Sequence, residues 1–158
     1  MLGGIARKLR FFGFDTLYMV HAHDDDVLNE GICSDRIILT ADRELFKRMV
    51  KKNAKGVLVD GGTELEDLVH VLSKQGIERV NLDTGNSRCP DCGATLSQRN
   101  RAEVSDIIPQ AIVSRYNKFF RCSKCGKVYW EGGHYVRMRL LAERINAQLN
   151  AEMKPSLS

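Results

Sequence analysis

The sequence predicts an α/β fold in which helices flank a parallel sheet, followed by a four-cysteine zinc ribbon and a carboxyl-terminal helix. In the first half, short apolar segments alternate with amphipathic ones, which is typical of βαβ units. In the second half stand two Cys-x-x-Cys pairs, each followed by glycine. We therefore expect a domain over residues 1–84, a ribbon with an inserted segment over 85–135, and a helix with a disordered tail over 136–158.

The elements of the first half follow one another in a regular order. Residues 2–13 predict an amphipathic helix, because apolar side chains recur there at helical spacing. Short apolar strands are predicted at 16–20, 36–40 and 56–59, with a shorter one at 80–82. A helix follows each of the first three strands. The third of these helices begins with Thr63-Glu64-Leu65-Glu66, which has the spacing of a capping box.

Each loop after the first three strands brings a carboxylate to one edge of the predicted sheet, the edge where ligands bind in such folds. These loops contain Asp24 and Asp25, Asp42, and Asp60. Gathered carboxylates repel one another, so a fold that gathers them usually holds a hard cation such as Mg²⁺ or Mn²⁺. Such an ion generates hydroxide from water and stabilises a phosphoryl transition state. The edge therefore predicts metal-dependent phosphodiester hydrolysis.

These carboxylates also have ordinary structural explanations. Asp24 and Asp42 stand where a helix N-cap belongs, and aspartate is a preferred N-cap residue. Asp60 fits turn chemistry better than metal ligation. From position alone, Asp42, Asp24 and Asp25 are the candidates for catalysis, and the neighbouring acids are solvated surface.

The cysteine pairs Cys89–Cys92 and Cys122–Cys125 predict one structural zinc site. Two such loops complete the four-sulfur shell that zinc accepts and leave no open position for a substrate. The 29 residues between Cys92 and Cys122 favour a ribbon with an insert over a compact DNA-reading finger. Two disulfides in a secreted protein are the alternative. The lack of a signal-like apolar run and the odd fifth cysteine, Cys33, favour instead a cytoplasmic protein without a membrane span.

Charge divides the chain as the motifs do. Residues 1–84 carry 12 Lys and Arg against 14 Asp and Glu, a net charge of −2, whereas residues 85–158 carry 12 against 6, a net charge of +6. If four thiolates bind one zinc ion, the second half falls by two to +4 and is still basic. A basic half attracts a polyanion, most simply nucleic acid.

Basic and aromatic residues alternate on both sides of the second cysteine pair, which therefore lies at the tip of a predicted hairpin. Aromatic rings stack on unpaired bases and basic side chains hold phosphates when single-stranded RNA is bound. The candidate RNA contacts are Arg121, Lys124, Lys127 and His134. The alternatives are that the aromatic residues form the small core of the ribbon and that His134 only caps the hairpin. The apolar stripe of the final helix docks on a core or on a second copy, which leaves a homodimer or a ribonucleoprotein partner open.

Four segments stand in a specific order along the chain. They are residues 1–10 (MLGGIARKLR), 24–28 (DDDVL), 39–45 (LTADREL) and 122–134 (CSKCGKVYWEGGH). Together they resemble the Mut-seven C-terminal RNase family, a PIN-like nuclease domain fused to a zinc ribbon, over roughly residues 1–140. The resemblance implies a PIN-like sheet and an acidic metal site, with Asp42 after the Thr-x-Asp strand end, Asp24 opening the preceding helix and Asp25 beside it.

The sequence departs from that family at its start. The family's first strand, with its leading catalytic aspartate, normally lies just before the Met-Leu-Gly segment, which here opens the sequence. We therefore expect that strand and its acid to be missing, which would leave the metal site incomplete and a sheet edge exposed. Ala41, where the family commonly has arginine, is a smaller departure.

The leading hypothesis is a Mg²⁺- or Mn²⁺-dependent ribonuclease whose acidic site cuts RNA while the zinc ribbon positions the strand. The alternative is a catalytically inert module that binds RNA or a ribonucleoprotein. The toxin half of a toxin and antitoxin pair is less consistent with the sequence, because PIN toxins usually lack a ribbon.

Overall fold

The computed structural model describes residues 2–153, and the expected disordered tail at 154–158 lies outside the described residues. The first half contains four helices and two strands: α1 (Leu2–Phe11), α2 (Asp24–Cys33), β1 (Ile38–Thr40), α3 (Arg43–Lys51), β2 (Gly56–Leu58) and α4 (Glu64–Lys74). The second half contains three strands and three helices: β3 (Leu96–Arg99), α5 (Arg101–Val104), α6 (Gln110–Arg115), β4 (Phe119–Cys122), β5 (Val128–Trp130) and α7 (Gly133–Met153).

A two-stranded parallel sheet stands at the centre of the first half. Its strands β1 and β2 pair in the register Ile38 with Gly56 and Thr40 with Leu58, and α3 connects them. Helix α4 begins with the predicted capping box, in which Thr63 and Glu66 exchange side-chain to backbone hydrogen bonds. The prediction of a mixed α/β fold with a parallel sheet is confirmed.

Two of the predicted strands do not form. Residues 16–20 run without a strand partner, and their apolar side chains remain open to solvent: Val20 is 62% exposed and Leu17 is 49% exposed. At 80–82, the backbone of Val80 is held by a side chain instead of a strand. The Val80 amide donates to Asn146 Oδ1 at 2.8 Å, and Asn146 Nδ2 donates to the Val80 carbonyl at 2.9 Å. Both segments are apolar enough for a strand, but neither forms backbone hydrogen bonds to a strand among the described residues.

The strand β1 has one free edge. Its Ile38 amide donates to Lys55 and its Thr40 carbonyl accepts from Val59, both on the side of β2. The peptide groups of the intervening Leu39 therefore point to the opposite edge. A groove of about 640 Å³ lies along that edge, bounded by α1, α2 and the end of α4 and lined mainly by apolar side chains.

The main hydrophobic core joins distant parts of the chain. Its buried members come from α1, β2, α4 and α7, and include Ile5, Leu9, Val57, Leu68, Leu72, Met138, Ala142, Ile145 and Leu149. The apolar stripe of α7 is thus docked on the first half. A smaller cluster of Leu28, Ile38, Leu45 and Met49 lies under α2 and α3.

The second half is built on an antiparallel sheet in the order β3-β4-β5. Phe119 pairs with Trp130 and Arg121 with Val128, so β4 and β5 form the predicted hairpin with the second cysteine pair at its tip. The segment between the cysteine pairs folds as β3, α5 and α6. No helix within residues 2–153 is both long and apolar enough to cross a membrane.

Arg10 joins the ribbon to the first half. Its side chain is 5% exposed and donates to three backbone carbonyl groups, those of Thr16 at 2.8 Å, Pro90 at 3.0 Å and Asp91 at 3.1 Å. The Arg88 amide donates back to the Arg10 carbonyl at 2.9 Å. An arginine on the polar side of an amphipathic helix is usually exposed to solvent, so the sequence pattern does not indicate this role.

Candidate functional site

The four cysteines of the two pairs meet at one point. Their sulfur atoms all lie within 4.8 Å of one another, with Cys92 and Cys122 at 3.4 Å and Cys89 and Cys125 at 3.6 Å. Sulfurs bound to one zinc ion at about 2.3 Å stand about 3.8 Å apart, whereas a disulfide requires about 2.0 Å. The prediction that these cysteines are placed to bind one metal ion is confirmed, and the geometry is compatible with structural zinc.

Local backbone bonds fix this cysteine cluster. In each loop the amide of the following glycine donates to the carbonyl of the first cysteine, and both glycines have positive φ, +79° at Gly93 and +73° at Gly126. The amides of Lys124 and Cys125 donate to Cys122 Sγ, both at 3.4 Å. Burial raises the pKa of the Cys122 thiol, but these amides, together with hydrogen bonds from the Cys92 and Cys125 thiols, outweigh it and hold the pKa at about 6. The loop thus favours the thiolate, which is the form that binds metal.

The candidate RNA contacts fall into two places. Arg121, Lys124 and Lys127 are exposed cations around the hairpin tip. Lys127 forms an ion pair with Asp91, which raises the pKa of Lys127 and lowers that of Asp91. His134 lies instead in the first turn of α7, where its ring meets Phe11 edge-on at 5.6 Å.

At the carboxyl end of β1, Asp42 caps α3. Its Oδ1 accepts from the amides of Glu44 at 2.7 Å and Leu45 at 3.0 Å, and its own amide donates to Thr40 Oγ1. Asp42 is therefore the N-cap of α3, as its position in the sequence predicts. No hydrogen bond from the described residues reaches its Oδ2, so one carboxylate oxygen is left for a ligand.

Asp24 and Asp25 lie in the exposed first turn of α2. The N-cap of this helix is His23, without a side-chain cap bond, so the assignment of Asp24 as an N-cap is wrong. Both carboxylates pair with Arg48 of α3, Asp24 at 3.5 Å. The sequence does not indicate this role of Arg48, because nothing local shows that α2 packs beside α3.

The acidic edge does not form a complete cation site by itself. Asp60, after β2, pairs with Arg43 at 3.7 Å. Across residues 2–153, the cysteine cluster is the one group of three or more candidate ligands whose atoms lie close enough to share an ion. Asp24, Asp25 and Asp42 are not gathered into such a group.

Comparison with known proteins gives one match. The family model described as Mut7-C RNAse domain matches residues 1–142, which include all four segments of the resemblance. A search of curated proteins and of solved structures finds no match. The match confirms the resemblance and indicates a ribonuclease-related role with RNA as the substrate.

Proposed function

Because the chain belongs to the Mut7-C RNAse domain family, we propose that it is a Mg²⁺- or Mn²⁺-dependent ribonuclease that hydrolyses RNA phosphodiesters. The family match over residues 1–142 carries this proposal. In it, residues 1–84 form a PIN-like catalytic domain, residues 85–135 a zinc ribbon that holds RNA, and residues 136–158 a helix with its tail.

The placement of Asp42 supports an acidic site. Its Oδ1 is used by the helix cap while its Oδ2 faces no described donor, so capping and metal binding do not compete. Asp24 and Asp25 stand at the start of the helix beside it, joined to α3 through Arg48. A divalent ion bound there would supply an activated water and positive charge for the phosphoryl group.

The described acids leave this site incomplete, and we propose that the expected first strand supplies the missing one. The groove along the free edge of β1 supports the proposal, because a strand lying there has the peptide groups of Leu39 to pair with. A strand parallel to β1 would end near Asp42, at the ligand-binding edge. In-frame codons before Met1 for a strand that ends in aspartate are the direct check.

The cations of the hairpin tip support the second part of the proposal. Arg121, Lys124 and Lys127 are exposed beside the cysteine cluster, so in this proposal a bound zinc ion would act on structure and the cations would act on phosphates. Single-stranded RNA fits a surface that combines such cations with aromatic rings.

One observation favours the alternative of an inert module that binds RNA or a ribonucleoprotein. Arg48 already pairs with both Asp24 and Asp25, and an arginine in that position can supply part of the counter-charge that a metal ion would supply. A module of this kind would keep the ribbon and its RNA affinity without cleavage.

Asp42→Asn tests the proposal. Asparagine caps a helix as well as aspartate does, so the fold is kept. We expect Mn²⁺-dependent cleavage of labelled single-stranded RNA to fall at least about 100-fold, the scale of losing one catalytic group, with RNA affinity retained.

The matched control is Asp35→Asn, which removes an exposed carboxylate that pairs with Lys55. It is expected to cut RNA like the parent. If the parent protein binds RNA but cuts none with Mn²⁺ or Mg²⁺, also when the proposed first strand is restored, the inert module is the correct function.

A further inference from the structure

A pocket of about 260 Å³ lies between the end of α1, the β4–β5 hairpin and the first turn of α7. Six aromatic rings line it, those of Phe11, Phe120, Tyr129, Trp130, His134 and Tyr135. The pocket lies away from the acidic edge, and no step of the proposed cleavage uses it.

The shape of the pocket suits a planar ring. Phe11 meets His134 edge-on and lies tilted against Tyr135 with ring centres 6.4 Å apart, so neighbouring rings hold one another in place. An apolar cavity of about 150 Å³ admits benzene. A space of about 260 Å³ therefore has room for the larger ring system of a nucleobase.

The mouth of the pocket suits an anion. The first amides of a helix have no acceptor within the helix, and none of the described groups accepts a hydrogen bond from the amides of Gly133, His134 or Tyr135. The first turn of α7 holds no acidic residue. A Cβ added at Gly133 would meet nothing within 4 Å, so the approach to these amides is open.

Cations outnumber acids around the pocket, which favours a polyanionic ligand. The acids Glu131 and Asp83 act on Tyr135, as does the cation Arg139. Arg88 lines the pocket itself, and Lys8 and Arg137 act on His134. Burial, with these two cations, lowers the pKa of His134. A neutral imidazole offers one donor and one acceptor to the edge of a base.

We propose that this pocket takes one unpaired nucleobase of single-stranded RNA, with the adjoining phosphate at the amino-terminal amides of α7. The inference rests on the proposed function. It adds a nucleobase-binding site to the phosphate contacts of the hairpin tip. Aromatic walls bind any base by stacking, which gives affinity with little sequence preference.

Trp130 allows a direct test, because it is the one tryptophan in the chain and it lines the pocket. The protein with its zinc bound is titrated with a short single-stranded oligouridine, with the same oligomer annealed to its complement, and with uridine monophosphate. We expect the single strand to quench Trp130 fluorescence, the duplex to leave it unchanged, and the mononucleotide to quench only at much higher concentration.

Tyr135→Leu removes a stacking wall but keeps an apolar side chain, and is expected to weaken oligouridine binding roughly 5- to 100-fold in fluorescence anisotropy. The control is Tyr18→Leu, which removes a 45% exposed tyrosine outside the pocket and should bind like the parent. His134→Leu, at an exposed position that tolerates substitution, repeats the test if Tyr135→Leu does not fold.

Three results would overturn the inference, and they separate it from the proposed function. If labelled RNA binds while Trp130 emission stays constant and the pocket variants keep their affinity, the pocket is not the base site although the RNA-binding function stands. If uridine monophosphate binds as tightly as the oligomer, the pocket belongs to a free nucleotide. If the parent neither binds nor cuts RNA, the proposed function is wrong, and the inference that rests on it is wrong as well.

Discussion

The cysteine cluster and the acidic edge are both sets of candidate metal ligands, but only the first is already assembled. The four sulfurs lie within 4.8 Å of one another. At the acidic edge, Asp42 is occupied by a helix cap, and Asp24 and Asp25 are paired with Arg48.

The difference shows what gathers ligands in this fold. The cysteines stand in two tight loops of one small sheet, where backbone hydrogen bonds fix their positions. The acids come from separate elements, α2 and the loops after β1 and β2, and their like charges repel one another. Such carboxylates need a cation to bring them together, and within the chain the nearest cation is an arginine.

Removing the metal from the cysteine cluster should give the largest effect. Structural zinc contributes on the order of 10 kcal/mol to folding in small modules, so a chelator or Cys122→Ser should unfold the ribbon. The measurement is the Trp130 emission maximum together with metal content per chain. Cys33→Ser is the control, because Cys33 is exposed and outside the cluster. A ribbon that stays folded after complete metal removal would show that the cysteine cluster is not a structural metal site.

Replacing Arg10 tests how far the ribbon that carries the cysteine cluster depends on its contacts with the first half. Arg10→Met leaves three carbonyl groups without their donor and should lower the free energy of unfolding by about 2–4 kcal/mol. Urea denaturation followed by far-UV circular dichroism measures it. Arg7→Met, which removes only an exposed ion pair with Asp91 at 3.7 Å, should cost less than about 1 kcal/mol. Equal losses for the two variants would contradict the role given to Arg10.

Replacing Arg48 tests whether the acidic edge binds a metal ion more tightly without its arginine. Arg48→Met removes the cation beside Asp24 and Asp25, so Mn²⁺ affinity should rise by about 1 kcal/mol, roughly fivefold. Stability should fall by no more than about 1 kcal/mol, because the pairs are exposed. Titration calorimetry with Mn²⁺ measures the affinity, and Lys47→Met, at an exposed neighbour that pairs with Glu44, is the control. If neither the parent nor the variant binds Mn²⁺, the edge is not a metal site.

The smallest effect is expected at His134, beside the ribbon. Burial lowers the pKa of His134 below its ordinary value of 6.5, with help from Arg137 and Lys8. The unfolded chain therefore binds the proton more readily, and stability should rise with pH through the window just below 6.5 and level off above it. The side chain is substantially exposed, so we expect only a few tenths of a kcal/mol.

His134→Gln should remove this part of the slope in urea midpoints measured across the window. An unchanged slope in His134→Gln would show that other groups produce the pH dependence.

The sequence was sufficient where the determining contacts are local. Cysteine spacing predicted the cluster and its hairpin, and Thr63 with Glu66 predicted the start of α4, because each depends on residues within one turn or loop. The order of apolar segments likewise predicted the parallel pair of β1 and β2.

Contacts between residues that are distant in the chain could not be predicted from the sequence. Residues 16–20 have strand composition, yet this segment lines the groove beside β1 without pairing to it. Arg10 and Asn146 look like ordinary helical surface until the ribbon and Val80 are placed against them. The candidate acids were found, but their pairing with Arg48 depends on how α2 packs beside α3.

Because α7 docks on the first half, the main hydrophobic core is completed only near the end of synthesis. Met138, Ala142, Ile145 and Leu149 complete a core whose other members are translated more than fifty residues earlier. While the ribosome is still making the ribbon, the first half holds an apolar surface that has nothing to cover it, and such surfaces attract chaperones and aggregation partners. The nascent chain is therefore most vulnerable in the interval between the first cysteine pair and the last helix.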